Sequence, residues 1–176
     1  MSKFRAMKTV LPLVFALFLS SPALAAWQEI DGGISSVPNE TNSTIQAVVL
    51  HCVDGAAIDV YSGGDGTIKP AAGGEVVDYF YKPGFIRADV DGSTFPMVAA
   101  GSGDAVVLFS EGKEAESYMA PLDDALIGAL TAGKLLTLAF DLNPTTAADG
   151  STFETFATFD LDGHGETIRK AVGNCE

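Results

Sequence analysis

The chain has 176 residues, of which 47% are hydrophobic and 19% charged, with 23 acidic side chains against 10 basic ones and a net charge of −13. Negative charge of that size repels phosphate backbones and anionic lipid, which makes nucleic acid and anionic membrane poor partners. The acidity reads first as a means of staying soluble.

The first 26 residues carry Lys3, Arg5 and Lys8, then the apolar run Val10 to Leu19, then small residues at Ala23 and Ala25. That order predicts a secretory signal peptide over 1–26. The apolar run is about ten residues, short of the ~18 that a spanning helix needs, so no membrane insertion is expected after cleavage. Removal after Ala25 or Ala26 leaves a chain beginning near Trp27. The three basic residues go with the leader, so the mature chain carries seven against 23, a net −16. Its roughly 150 residues are the size of one domain, predicted over 27–176. The expected location is periplasmic or secreted.

From Trp27 to Thr44 the sequence is rich in Gly, Ser, Pro and Asn, which predicts a short opening strand and a loop, with Trp27 as its anchor. Asn39 and Asn42 each begin an Asn-x-Thr triplet and are read as turn formers. Ile45 to Cys52 and Ala57 to Tyr61 read as strands joined by a turn at Asp54 and Gly55. Ser62 to Gly74 holds five glycines and reads as a loop without packing residues. Val76 to Lys82 alternates, with Val77, Tyr79 and Tyr81 on one face, and reads as an aromatic strand near an edge.

Pro83-Gly84 and Asp91-Gly92 turn the chain through Phe85 to Val90 and Thr94 to Ala100, and Ala105 to Phe109 adds a strand, so successive hairpins favour an antiparallel sheet. Leu122, Leu126, Ala129 and Leu130 recur at helical spacing, which predicts a helix from Pro121 to Ala132 with its stop at Gly133. Leu135 to Leu142 is the next strand. In the closing stretch Phe153, Thr155, Ala157, Phe159 and Leu161 share one face of a strand, and Ile168 and Val172 sit four apart on a helix from Gly165 to Val172. Asp-Gly-Ser-Thr-Phe occurs at Asp91 to Phe95 and again at Asp149 to Phe153, read as two like hairpin openings. The fold class expected is mainly β: an antiparallel β-sandwich or strongly twisted sheet with these two short helices.

The only cysteines are Cys52 and Cys175, and in an exported chain two cysteines are expected to pair. Candidate chemistry is sparse. Asp160-Leu-Asp162-Gly-His164-Gly165-Glu166 suggests a calcium loop, but that spacing places His164 and Ala171 where carboxylates are required. Ser110-Glu-Gly-Lys113 matches Ser-x-x-Lys without its companion motifs and reads as a turn. His51 and His164 are the only histidines, and no Gly-x-Ser-x-Gly elbow accompanies them. No nucleotide fingerprint or Cys-x-x-Cys pair is present, so neither cofactor nor metal is expected. Ser62, Gly63, Gly64 and Asp65, with Tyr79 and Tyr81, form the expected binding surface; the Ser-Gly pair resembles the loop with which lysozyme inhibitors plug an active site.

Taken in order, Trp27, the strand ending in Cys52, Val77-x-Tyr79-x-Tyr81, the Leu-rich helix running into Ala132-Gly-Lys-Leu-Leu136, Thr158-Phe-Asp-Leu-Asp-Gly163 and a short helix before Cys175 give the chain its signature. That order resembles the exported proteobacterial domains that include the type VI secretion-associated TagO-like proteins. The Gly-rich loop and Asp162 depart from the pattern. The resemblance implies a periplasmic β-domain without catalysis. The expected function is a non-catalytic protein that binds a periplasmic protein or cell-wall component. The alternatives are a lysozyme-inhibitor-like protein and a small hydrolase, which requires His51 or His164 in a cleft within hydrogen-bond reach of a Ser or Asp.

Overall fold

The computed structural model of the protein describes residues 26–64, 66–74, 83–102, 104–143, 145, 146, 150, 154–173 and 175. Outside them lie 1–25 of the expected leader, the expected aromatic strand 76–82 with Tyr79 and Tyr81, Asp65, and all but one residue of the second Asp-Gly-Ser-Thr-Phe.

The protein is mainly β. In chain order the strands are β1 Gln28–Ile30, β2 Gly33–Ser36, β3 Glu40–Thr41, β4 Ile45–Cys52, β5 Ala56–Ser62, β6 Ile86–Val90, β7 Ser93–Ser102, β8 Ala105–Glu111, β9 Met119–Ala120, β10 Leu135–Phe140 and β11 Thr155–Asp160. Helix α1 is Asp124–Ala132 and α2 is Gly165–Val172. All strands join one antiparallel sheet in the order β1-β2-β4-β5-β8-β7-β6-β10-β11-β3, with β9 added to β8.

That order forces the sheet to curl. β2 stands next to one edge and β3 is the opposite edge, yet only residues 37–39 separate them, a reach of about 14 Å at most. A flat sheet of this many strands spaced ~4.8 Å apart would be far wider, so its two edges come round to meet. Two bonds mark the meeting: the Asn39 N–H donates to the Thr158 carbonyl at 2.8 Å, and the Trp27 indole N–H donates to the Asp160 carbonyl at 2.7 Å. Asn42 extends the seam, its amide donating to the Glu154 carbonyl at 2.9 Å and accepting from the Phe156 N–H at 2.7 Å. The turn chemistry expected of this asparagine is therefore spent in holding β11.

Inside the roll, alternate strand residues make one core that includes Leu50, Ile58, Leu108, Met97, Leu138 and Phe159, all fully buried. Each such side chain contributes about 1.5–3 kcal/mol on leaving water. The closing strand buries Thr155, Ala157 and Phe159, the face that its alternation marks. Both Asp-Gly turns take left-handed backbone at two successive residues, Asp54 with Gly55 and Asp91 with Gly92, the geometry that matches hairpin twist.

Three expectations are corrected in detail. The first helix begins at Asp124 rather than Pro121, because the Asp123 carboxylate caps it by accepting from the Leu126 N–H at 2.7 Å and the Leu122 N–H is already bonded to the Ala56 carbonyl. The tenth strand ends at Phe140, although Leu142 remains buried. The Gly-rich loop does contain packing residues: Ile68 is fully buried and Pro70 is buried, and residues 69 and 71 hydrogen-bond along Thr44 and Asn42.

The helices close one flank. α1 buries Leu126 and Leu130, and α2 buries Ile168 and Val172 in the same core. They touch where Gly165 meets the carbonyl of Thr131, so closely that a β-carbon at 165 has no room. The disulfide Cys52–Cys175 then ties the end of β4 to the chain just beyond α2, with α-carbons 5.5 Å apart. No helix among the described residues is long and apolar enough to cross a membrane.

Candidate functional site

In β4 and β5, residues that do not face the core face the other side of the sheet. The register sets Val49 opposite Asp59 and His51 opposite Ala57, which makes His51 and Asp59 diagonal neighbours on the outer face. The His51 ring meets the Asp59 carboxylate at 3.0 Å through Nε2. A carboxylate only accepts, so Nε2 carries the proton and donates. Tyr61 lies next along β5 on the same face, two residues beyond Asp59. Burial first, then the negative charges of Asp59 and Asp104, hold its phenol above the ordinary tyrosine value.

These three side chains line a hollow of about 370 Å³ whose other walls are Ile30, Asp31, Gly32, Val49, Val53 and Val107. Its apolar part is unusually wet: Ile30, Val53 and Tyr61 are 45, 64 and 38% exposed and account for three of the five exposed large hydrophobic side chains among the described residues. The turn Asp31-Gly32 rises on one side. Beyond it lies a second hollow of about 290 Å³ between the β1–β2 hairpin and α2, where Glu29, Thr167 and Lys170 contribute polar groups and Ile30 is shared.

The His51–Asp59 contact supplies half of what a hydrolase requires. A general base must also turn one ring nitrogen toward the group it deprotonates. Nε2 is committed to Asp59, and Nδ1 is buried without a hydrogen-bond partner among the described residues. His164 precedes α2 as its N-terminal cap residue and makes no side-chain capping bond. Ser110 of the Ser-x-x-Lys motif is buried, with its hydroxyl accepting from the Asp123 N–H at 3.0 Å, while Lys113 is exposed on the turn that follows. In the calcium-like stretch the Asp160 carboxylate accepts from the Asp162 N–H at 2.9 Å, which is turn chemistry.

Of the surface expected from the sequence, Ser62 ends β5 with its hydroxyl buried, Gly63 donates its N–H to the Thr44 carbonyl, and Gly64 alone is exposed. Asp65, Tyr79 and Tyr81 lie outside the described residues. Ile30, Val53 and Asp59 escaped the sequence reading, and His51 stood there as one of two candidate bases of the alternative hydrolase, with no partner named. The parity of the hairpin around Asp54-Gly55 was the available signal, because it places positions 49, 51, 59 and 61 on one face.

A second polar group on the outer face is structural. Arg87 of β6 donates through Nε to Asp89 at 2.8 Å and grips Glu154 with both terminal nitrogens, Nη2 to Oε2 at 2.6 Å, while the Thr94 hydroxyl donates to Asp89 at 2.6 Å. The fork on Glu154, above all, raises the affinity of Arg87 for its proton. Since β10 lies between β6 and β11, this grip spans three strands.

Compared with known proteins, the chain matches no family model, no curated protein and no solved structure.

Proposed function

We propose that the chain is an exported, non-catalytic protein of the bacterial envelope, periplasmic or secreted, that acts by holding a protein partner or cell-wall component against the outer face of its sheet. The observation that carries this reading is the gathering of Ile30, Val53 and Tyr61 around the His51–Asp59 pair. Exposed aliphatic and aromatic groups in a concave patch cost free energy until a partner covers them. The disulfide supports export, since such bonds persist in oxidising compartments, and so does the charged-then-apolar sequence of the first 26 residues. The order of features shared with TagO-like domains belongs to the same proposal.

A photo-crosslinking residue at Val53, compared with one at Glu116 on the exposed turn before β9, tests it in intact source cells. The expected result is a processed chain beginning near Trp27 that forms a discrete adduct from position 53 and none from 116. Retention in the cytoplasm, or equal labelling from both positions, overturns the reading. The hydrolase alternative rests on the His51–Asp59 contact and requires His51→Ala to abolish an activity while leaving the fold intact.

A further inference from the structure

The hollow around His51 has a chemical sign. Its floor is aliphatic, from Val49, Val53, Val107 and Ile30, and no lysine or arginine among the described residues lines it. Asp31 stands on its wall, and Asp104, in the turn joining β7 to β8, precedes Ala105, which pairs with the wall residue Tyr61. Asp59 is bonded to His51, whereas Asp31 and Asp104 are exposed and make no ion pair among the described residues. An occupant bringing negative charge would meet like charge at Asp31 and beside Tyr61, and a purely apolar one would leave those carboxylates without a partner. Lys170 lines the neighbouring hollow across the β1–β2 hairpin, not this one.

We infer that the occupant is a cationic, amphipathic protein segment, which sets aliphatic side chains on the valine floor and lysine or arginine beside Asp31 and Asp104. This rests on the docking reading above and names the class of partner. The net charge of −13 acts in the same direction at longer range, by raising the encounter rate with a basic protein. The envelope component that fits is a basic protein surface; an anionic polymer does not.

Three synthetic peptides test the inference on the processed, disulfide-bonded chain: leucine alternating with lysine, with serine and with glutamate. Anisotropy of the labelled peptides is expected to show the Leu–Lys peptide binding about tenfold or more tighter than Leu–Ser, with affinity falling several-fold as salt rises to ~0.15 M. Ile30→Ser with Val53→Ser should remove binding. Asp31→Asn with Asp104→Asn should weaken it and flatten its salt dependence. The pair Glu114→Gln with Glu116→Gln makes the same charge change on a turn outside the hollow and should leave binding unchanged. Equal binding of all three peptides through Val53 overturns the cationic assignment and leaves a docking face standing. Loss from the Glu114 and Glu116 pair as large as from Asp31 and Asp104 reduces the effect to bulk charge and also overturns it, as does no binding at the hollow. Crosslinking from Val53 decides the docking reading separately, because it does not depend on charge.

Discussion

Trp27 and Asp160 are 133 residues apart in the chain and joined by one hydrogen bond, indole N–H to backbone carbonyl, at 2.7 Å. Trp27 leads into the strand at one edge of the sheet, and Asp160 ends the strand next to the other edge. The indole also packs on Phe159, with ring centroids 6.4 Å apart. Trp27 thus adds a side-chain bond and a ring contact to the closure that Asn39 and Asn42 also hold.

Trp27→Phe should keep most of the packing and lose the bond, lowering stability by about 1–2 kcal/mol, whereas Trp27→Ala should lose about 3–5 kcal/mol. Urea unfolding followed by far-ultraviolet dichroism measures both. A phenylalanine variant as unstable as the alanine one would show that the hydrogen bond carries the seam alone.

Removing the Cys52–Cys175 bond frees an unfolded loop that it otherwise closes over 123 residues of sequence separation. Chain entropy sets the loss at about 4–5 kcal/mol. Guanidinium unfolding of Cys52→Ser with Cys175→Ser, against the oxidised parent, should show a lower midpoint and little change in the native spectrum. Mass spectrometry of the parent should find it two hydrogens short of the reduced chain.

Two glycines in or beside the helices should respond to alanine with opposite signs. A β-carbon at Gly165 collides with the Thr131 backbone carbonyl, so Gly165→Ala should cost about 1–3 kcal/mol as the helices are pushed apart. Gly128 sits inside α1 with open space where its β-carbon would point, so Gly128→Ala should add about 0.5–1 kcal/mol. Paired thermal unfolding of the two variants decides the matter, and a shift in the same direction for both contradicts the helix contact.

Asp59→Asn removes a negative charge from beside Tyr61. The phenol should then titrate at a lower pH, closer to the ordinary value, although burial and Asp104 still hold it up. Tyrosinate absorbance of parent and variant across alkaline pH reads the difference. An unchanged titration would break the link between Asp59 and Tyr61.

Asp141 lies after β10, where burial first and the charge of Glu154 second raise its carboxyl above the ordinary aspartate range, partly opposed by Arg87. A raised folded-state value means that the native protein holds the proton more tightly than the unfolded chain. Its contribution is therefore full below the unfolded value and is lost as pH rises through the folded one. Asp141→Asn should be more stable than the parent at neutral pH, and this gain should fade as pH falls below the carboxylate range. Chemical unfolding at several pH values checks the slope; a gain that grows toward acid has the wrong sign.

By itself the sequence determined everything that depends on local period and turn chemistry. β4 runs from Ile45 to Cys52 as its apolar pattern requires, both Asp-Gly turns form, and Thr155, Ala157 and Phe159 share the inward face that their alternation marks. The pairing of two cysteines in a chain read as exported was equally legible. Only the tertiary structure decided which strands neighbour one another, because strand order follows from chain paths and edge meetings that leave no periodic trace. For the same reason Ile68, read among glycines as loop, is a core residue, and His51, read alone, is bonded to a carboxylate eight positions on. The hollow exists because residues from β1, β4, β5 and β8 come together across the curl, a juxtaposition of distant positions to which single-strand patterns are blind.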